Sequence, residues 1–392
     1  VPLSSGSSSQ PLRHQLLQAA EAAASRPGCR LASATVRRFG FVGLPNAGKS
    51  SLYNALTSGS AHAAPYAFAT TDPNIGVAKV PDERLDRLAE MSRSRNVVPA
   101  AVQFTDIGGL VEGASQGEGL GNAFLAHIRE VDAIVFVLRA FPDSDVPGGS
   151  DPLEQLRIVE IELALADLAG AEKALAKTRR TSKGDSSALP TVGLLERCVD
   201  WLGAGVPLYR SGLAADERAV LAPFFFLTDK PVMAVVNIGE KQLDQAEEIV
   251  EPVRAELDSA EAIALCVQVE AEAAQLDPGE RAEMLTAFDL GSGATGRFLS
   301  AAYHLLGLRT FLTTGESESR AWTFPAGATA QECAGVIHSD FQRGFIRAET
   351  IRSDELLEAG SWAAARELGQ VRSEGKDYRT QDGDVMEFRF NV

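Results

Sequence analysis

Residues 39–43 (FGFVG) form a short apolar run that stops at a glycine. The chain then reads Gly43-Leu-Pro-Asn-Ala-Gly48-Lys49-Ser50, a full match to G-x-x-x-x-G-K-[ST]. A run of that length ending in a turn residue reads as a buried strand, and residues 49–57 (KSSLYNALT) have helix character. Strand, glycine loop and helix in that order constrain the fold sharply. The two glycines let the backbone wrap tightly enough for its N–H groups to point at phosphate oxygens, and the helix offers its positive N-terminal end to the same anion. In this pattern Lys49 reaches the β- and γ-phosphates of a nucleoside triphosphate, and Ser50 gives its hydroxyl to Mg²⁺. Asn46, Ala47, Gly48 and Ser51 are assigned to the nucleotide with them.

Two later motifs stand in register with this loop. A strand candidate, Val102 to Thr105, ends at Asp106-Ile-Gly-Gly109. An aspartate there holds Mg²⁺, and the Gly109 N–H meets the γ-phosphate. The glycine-rich stretch that follows, with Gly113, Gly117, Gly119 and Gly121, reads either as a flexible loop or as a switch ordered by the γ-phosphate. Thr70, in PYAFATTDPN, is favoured over Thr71 as a further Mg²⁺ residue, with a solvated turn threonine as the alternative. After another strand candidate, Val232 to Val236, comes Asn237-Ile238-Gly-Glu240. GTPases carry Asn-Lys-x-Asp here, the aspartate accepting from the two donors on the guanine edge. With Glu240 for that Asp and Ile238 for that Lys, the reason for preferring guanine is weakened. The residues this motif assigns to the base are Asn237, Ile238 and Glu240.

Further strand candidates at Ala133–Leu138 and Ala262–Val267 alternate with helical stretches, which implies a mostly parallel sheet covered by helices on both faces, an α/β fold. One segment breaks the alternation. Leu153, Leu156, Val159, Leu163, Ala166 and Ala169 recur at three- and four-residue steps, a polar break TSKGDSSALP follows, and residues 191–202 turn helical again. Two helices around a loop, about 80 residues between strands, suggest an inserted antiparallel hairpin rather than two ordinary crossover helices. From about Leu308, alternating runs (RAWTF, VMEFRF) with turn signals read as a small β-rich domain. The divisions are 1–38 as an N-terminal extension, 39–140 with 223–307 as the nucleotide domain, 141–222 as the insertion and 308–392 as the C-terminal domain.

Composition narrows the partners. The formal net charge of −16 argues against a broad nucleic-acid face, and so against sequence-specific DNA binding, without excluding a local basic patch. No run approaches the ~20 apolar residues of a membrane helix, so no membrane partner is expected. The cysteines at 29, 198, 266 and 333 form no CxxC pair, which points away from zinc and towards a reducing compartment. Residues 1–38 hold five arginines and seven serines against a single acidic residue, Glu21. That is the composition of an organelle transit peptide; a disordered tail or an upstream mistranslation is the alternative.

Together the blocks GLPNAGKSSLYNAL, DIGGLVEGASQGEGLGNAFLAHIREVDAI, the NxxE at Asn237, AGVIHSDFQRGFIRAE and EGKDYRTQDGDVMEFRFNV resemble the Obg-like ATPase, or YchF, family from about residue 39 to 392. The resemblance implies a P-loop G domain, an inserted helical hairpin and a C-terminal α+β, ubiquitin-like TGS domain. It implies a Mg²⁺-dependent ATPase that takes GTP second, associated with ribosomes and acting in translation or stress response. A GTPase of the same fold, or an ATP-gated binding module working through its TGS domain, are the alternatives. The C-terminal block is most like cyanobacterial and plastid versions, which places the protein in a chloroplast if residues 1–38 are a transit peptide and in the cytoplasm otherwise. Carried onto this chain, Asn46 matches a P-loop asparagine linked with K⁺ stimulation, and His127 a position proposed for catalysis, with a packing histidine as its alternative. Leu110 stands where a Ras-like enzyme carries its water-orienting Gln, which implies that hydrolysis uses another group or is slow. The chain departs from the family pattern at Glu112 and Gln116, where lysines are usual, at Ala69 to Asn74, and at Cys266 to Glu270, which replaces the family's small-residue base loop; the resemblance implies that this loop faces the base, with Cys266 and Val267 among the nucleotide-binding residues.

Overall fold

In chain order the first elements are β1 (Arg38–Val42), α1 (Lys49–Thr57), β2 (Ile75–Lys79), α2 (Glu83–Ser92), β3 (Asn96–Val98), β4 (Ala101–Thr105), α3 (Leu120–Glu130) and β5 (Ala133–Arg139). The structure, a computed structural model, describes residues 37–57, 75–105, 120–142, 149–184, 186–258, 260–288, 290 and 293–391. The segment from 149 to 222 contributes α4 (Pro152–Ser182), α5 (Leu189–Gly203) and α6 (Ala215–Leu221). The chain then returns through β6 (Val232–Asn237), α7 (Ala246–Leu257), β7 (Ala262–Leu265), α8 (Val267–Ala273), α9 (Pro278–Ala287) and α10 (Ala294–Leu305).

The first sheet has the order β2-β4-β1-β5-β6-β7, parallel throughout except for β2, which runs antiparallel to β4 at the edge. Its central strands are apolar on both faces. Every residue of β5 (AIVFVLR) and of β6 (VMAVVN) is buried. Successive side chains of a strand point to opposite faces. Accordingly Ala133, Val135 and Val137 join one core cluster with Phe39, Phe41, Phe104 and Phe298, while Ile134, Phe136 and Leu138 join a second with Val42 and Val236. Each large apolar side chain buried in this way contributes about 1.5–3 kcal/mol.

The insertion starts at a strong stop. Asp151 caps α4, accepting from the Leu153 and Glu154 N–H groups at 2.9 and 3.2 Å, with Pro152 in the first turn. The helix then changes the face it buries. Leu156, Val159 and Leu163 pack on the sheet's second cluster; Ala164, Ala171 and Leu175 pack on α5, with Leu195, Cys198 and Leu202. That change of partner is why Ala169, expected on the buried face, is exposed, and why α4 runs on as one 31-residue helix. Asp167 fastens the joint, its buried carboxylate accepting from the Leu227 and Thr228 N–H groups at 2.9 and 2.7 Å and the Thr228 hydroxyl at 2.8 Å.

The C-terminal part comprises β8 (Leu308–Thr314), β9 (Glu318–Pro325), α11 (Ala330–Ile337), α12 (Ser339–Arg343), β10 (Phe345–Arg352), α13 (Ser353–Ala359), α14 (Trp362–Glu367), β11 (Arg372–Glu374) and β12 (Asp384–Phe390). Its sheet runs β11-β10-β12-β8-β9-β3. The last strand in that order belongs to the nucleotide domain, so the division at residue 308 is not a division of the sheet. The core crosses it as well: Leu312, Ile351, Leu356 and Val385 share a cluster with Phe41, Leu85 and Leu88.

Candidate functional site

The loop between β1 and α1 is shaped by its glycines. A Cβ on Gly43 would lie 2.2 Å from the Val137 carbonyl oxygen. Gly48 adopts φ +98°, and a Cβ there would lie 2.4 Å from the Asn237 Nδ2. Only glycine fits either place. Asn46 also takes a left-handed backbone, φ 63°, a conformation asparagine tolerates better than most residues, and its side chain is exposed. Lys49 is buried, and its ammonium donates to the carbonyls of Gly43 and Leu44 at 3.0 and 2.8 Å. Ala47 is buried beneath the loop, whereas Ser50 and Ser51 stand exposed on the first turn of α1. This is a tight cradle with a cation across its mouth and a hydroxyl beside it. The described residues fit the phosphates of a nucleotide, with Ser50 the one described residue of those assigned to Mg²⁺.

Asn237, at the end of β6, ties the glycine loop to the start of α8. Its Nδ2 donates to the Ala47 carbonyl at 3.0 Å, and its Oδ1 accepts from the Val267 N–H at 3.2 Å. The loop after it is braced by Gln242, whose side chain accepts from the Gly239 N–H at 2.8 Å and donates to the Ala140 carbonyl at 3.1 Å. Glu240, the first residue of a 3₁₀ turn, is exposed. Gln242 was not singled out from the sequence; its signal is a glutamine three residues after Gly239, the spacing of a capping contact. Phe141, half-buried beside Gly239 with the Arg139 guanidinium 4.5 Å above its ring, is likewise missing from the sequence reading.

Two expectations about the base side change. Ile238 is 2 % exposed and packed in the second core cluster, so its side chain is core rather than a flank for the base. Glu270 does not face the base. Its buried carboxylate turns to the start of α10, accepting from the Ala294 N–H and the Thr295 hydroxyl, both at 2.6 Å, and from the Thr295 N–H at 3.3 Å. A carboxylate at a helix N-terminus satisfies orphan donors and meets the positive end of the dipole. The strand expected to reach Val267 ends at Leu265: Cys266 caps α8, with burial pushing its thiol up, and Val267 opens that helix.

His127 sits in the last turn of α3 with an exposed side chain. Thr70, Thr71, Asp106, Gly109 and Leu110, the glycine-rich stretch to Gly119, and residues 1–36 lie outside the described residues. Among the described residues, no group of three or more His, Cys, Asp or Glu is arranged to hold a metal ion. None of the described helices is long and apolar enough to cross a membrane.

Comparison with known proteins gives the same fold. A family model described as a 50S ribosome-binding GTPase matches residues 38–161, and the YchF GTPase C-terminal model, described as a protein of unknown function, matches 308–391. The ribosome-binding ATPase YchF of Bacillus subtilis is 43% identical over 361 residues, covering 90% of this chain and 99% of that one. The protein of the same name from Escherichia coli is 43% identical over 363 residues with the same coverage. Among solved structures, the Schizosaccharomyces pombe YchF GTPase superposes with a TM-score of 0.81 at 31% identity, over 93% of this chain and 99% of that one.

Proposed function

The chain belongs to the YchF family, and we propose that it is a Mg²⁺-dependent ATPase whose nucleotide state governs its association with the ribosome. The observation that carries the reading is the closed circuit of cradle and base loop: Lys49 over the loop carbonyls, and Asn237 joining Ala47 to Val267. Lys49 neutralises phosphate charge, the loop backbone orients the chain of phosphates, and Asn237 keeps base and phosphates at a fixed separation. Ser50, with Thr70 and Asp106, would hold Mg²⁺, which supplies charge neutralisation between the outer phosphates.

ATP is preferred to GTP in this reading because Glu240 stands where a guanine reader carries Asp, and because Ile238 is committed to the core. The relatives' names differ on this point, ATPase for the bacterial proteins and GTPase for the yeast structure. Leu110 implies slow intrinsic turnover. K⁺ stimulation through the exposed Asn46 and a catalytic role for His127 belong to the same proposal; hydrolysis at equal rates in K⁺ and Na⁺, or unchanged in His127→Ala, removes each in turn. Plastid targeting by residues 1–38 is proposed on composition and is tested by the location of a fluorescent fusion. The central experiment is calorimetric titration of the full chain with ATP and GTP, followed by sedimentation with ribosomes in each nucleotide state. Absence of triphosphate binding, or ribosome association indifferent to nucleotide, would overturn the reading.

A further inference from the structure

The chain between Thr70 and Asp106, two residues assigned to Mg²⁺ above, runs β2, α2, β3, β4. β2 and β4 form an antiparallel ribbon whose ends are distinct. Ile75 pairs with Thr105 at the end that leads to both assigned residues, and Lys79 pairs with Ala101 at the other. From that second end α2 and β3 enter the C-terminal domain.

Their attachment there is extensive. β3 lies in parallel register with β9, Asn96 opposite Glu318 and Val98 opposite Arg320. The Arg95 and Asn96 N–H groups donate to the Glu316 and Ser317 carbonyls at 3.0 and 3.2 Å. The Ser94 hydroxyl donates to the Gly315 carbonyl at 2.7 Å, and the Thr314 hydroxyl to Ser92 Oγ at 2.7 Å. At the start of α2, Arg84 bridges the cap residue Asp82 and Asp382 of the C-terminal domain, each at 2.8 Å. Asp382 also accepts from the Thr310 N–H at 2.8 Å. Beneath these polar contacts Leu85 and Leu88 share a buried cluster with Leu312, Ile351 and Leu356. A strand paired on one side and a helix packed on another leave this segment no independent position: it moves with the C-terminal domain or the contacts break.

We propose that the β2–β4 ribbon, with α2 and β3 as its arm, couples the nucleotide site to the C-terminal domain. A rearrangement of the ribbon's open end on exchange of ATP for ADP is then carried to the β3–β9 pair and the Arg84–Asp382 bridge. By linkage, whatever binds the C-terminal domain in one position shifts nucleotide affinity in return. This coupling rests on the nucleotide-binding reading above.

The test is hydrogen exchange on the full chain, measured without nucleotide, with ADP and with a non-hydrolysable ATP analogue, after calorimetry has shown binding of both nucleotides. Protection at the Arg95 and Asn96 amides is expected to differ by about fivefold or more between ADP and the analogue, the lower end of ordinary allosteric coupling. In the double variant Arg84→Gln, Asp382→Asn, which keeps an acceptor for the Thr310 N–H, the ratio of ADP to analogue affinity is expected to change by a few-fold with an unaltered circular dichroism spectrum. Equal protection in all three states, in a protein that binds both nucleotides, overturns the coupling and leaves the nucleotide reading standing. Failure to bind either nucleotide overturns that reading, and the coupling with it.

Discussion

Asn237→Ala takes out the amide that holds the phosphate loop against the turn after β7, and its cost can be worked from the structure. Two hydrogen bonds go, to the Ala47 carbonyl at 3.0 Å and from the Val267 N–H at 3.2 Å. Each is worth about 0.5–1.5 kcal/mol net, and each buried partner left unpaired costs about 1–3 kcal/mol more, less whatever an entering water restores. Asn237 is 5 % exposed, and its amide closes directly on Gly48, so the vacated space is small and recovery is partial. The expected loss is about 2–4 kcal/mol. In the local opening equilibrium that is roughly 30- to 900-fold. The apparent dissociation constant for ATP rises as the inverse of the closed fraction, so it climbs only once the open state becomes well populated, whereas amide exchange follows the opening directly. Two measurements check it: exchange of the Val267 amide, and ATP affinity by calorimetry. A variant that binds ATP within twofold of the parent while its Val267 amide stays equally protected would refute the reasoning, because the Asn237 tie would then be redundant.

Lys49→Ala should abolish tight ATP binding while leaving the far-ultraviolet circular dichroism like the parent's, with the unfolding midpoint lowered by the loss of the bonds to the Gly43 and Leu44 carbonyls; unchanged ATP affinity would sink the site assignment. Glu240→Asp should raise GTP affinity relative to ATP by roughly tenfold, the worth of one bidentate base contact. The single change is the right probe, because lysine at the buried Ile238 would place a charge in the core; no gain for GTP in competition binding means that the backbone sets base choice. Burial pushes the Asp167 carboxyl from 3.8 up to about 6, against hydrogen bonds from Leu227 and Thr228 that pull it down. Between those values the folded protein holds a proton that the unfolded chain has released, so stability falls as pH rises through that window, by about 3 kcal/mol. Urea unfolding at pH 4 and pH 7 should show a pH dependence steeper in the parent than in Asp167→Asn by about that amount, Glu160 and Asp229, also raised by burial, contributing alike to both; equal slopes would remove Asp167 from the account.

What was legible in the sequence was local. β1, β5 and β6 announce themselves because strands buried on both faces read as unbroken apolar runs, and the P-loop because its glycines, lysine and serine act within eight residues of one another. What was not legible depends on partners far along the chain. β2 (IGVAK) alternates as an edge strand does, but Gly76 occupies one of its inward places, where a Cβ would meet the Thr57 methyl at 2.1 Å; nothing nearby says so. β3 is three residues, NVV, and is a strand only because β9, more than 200 residues later, lies beside it. Glu270 misled for the same reason: read against its neighbours it belongs to a base loop, and only the start of α10, 24 residues on, gives its carboxylate somewhere better to go. The nucleotide site therefore depends on two scales of information. The cradle is written where it stands, but Asn237 and the ribbon acquire their roles from residues such as Ala47, Val267 and Ser317 that sequence proximity does not connect. A variant series confined to the motif residues would test the cradle and leave the connections untouched. Asn237→Ala tests the tie between the cradle and the turn after β7, and the Arg84→Gln, Asp382→Asn pair separates a chain that merely holds a nucleotide from one whose distant domain responds to it.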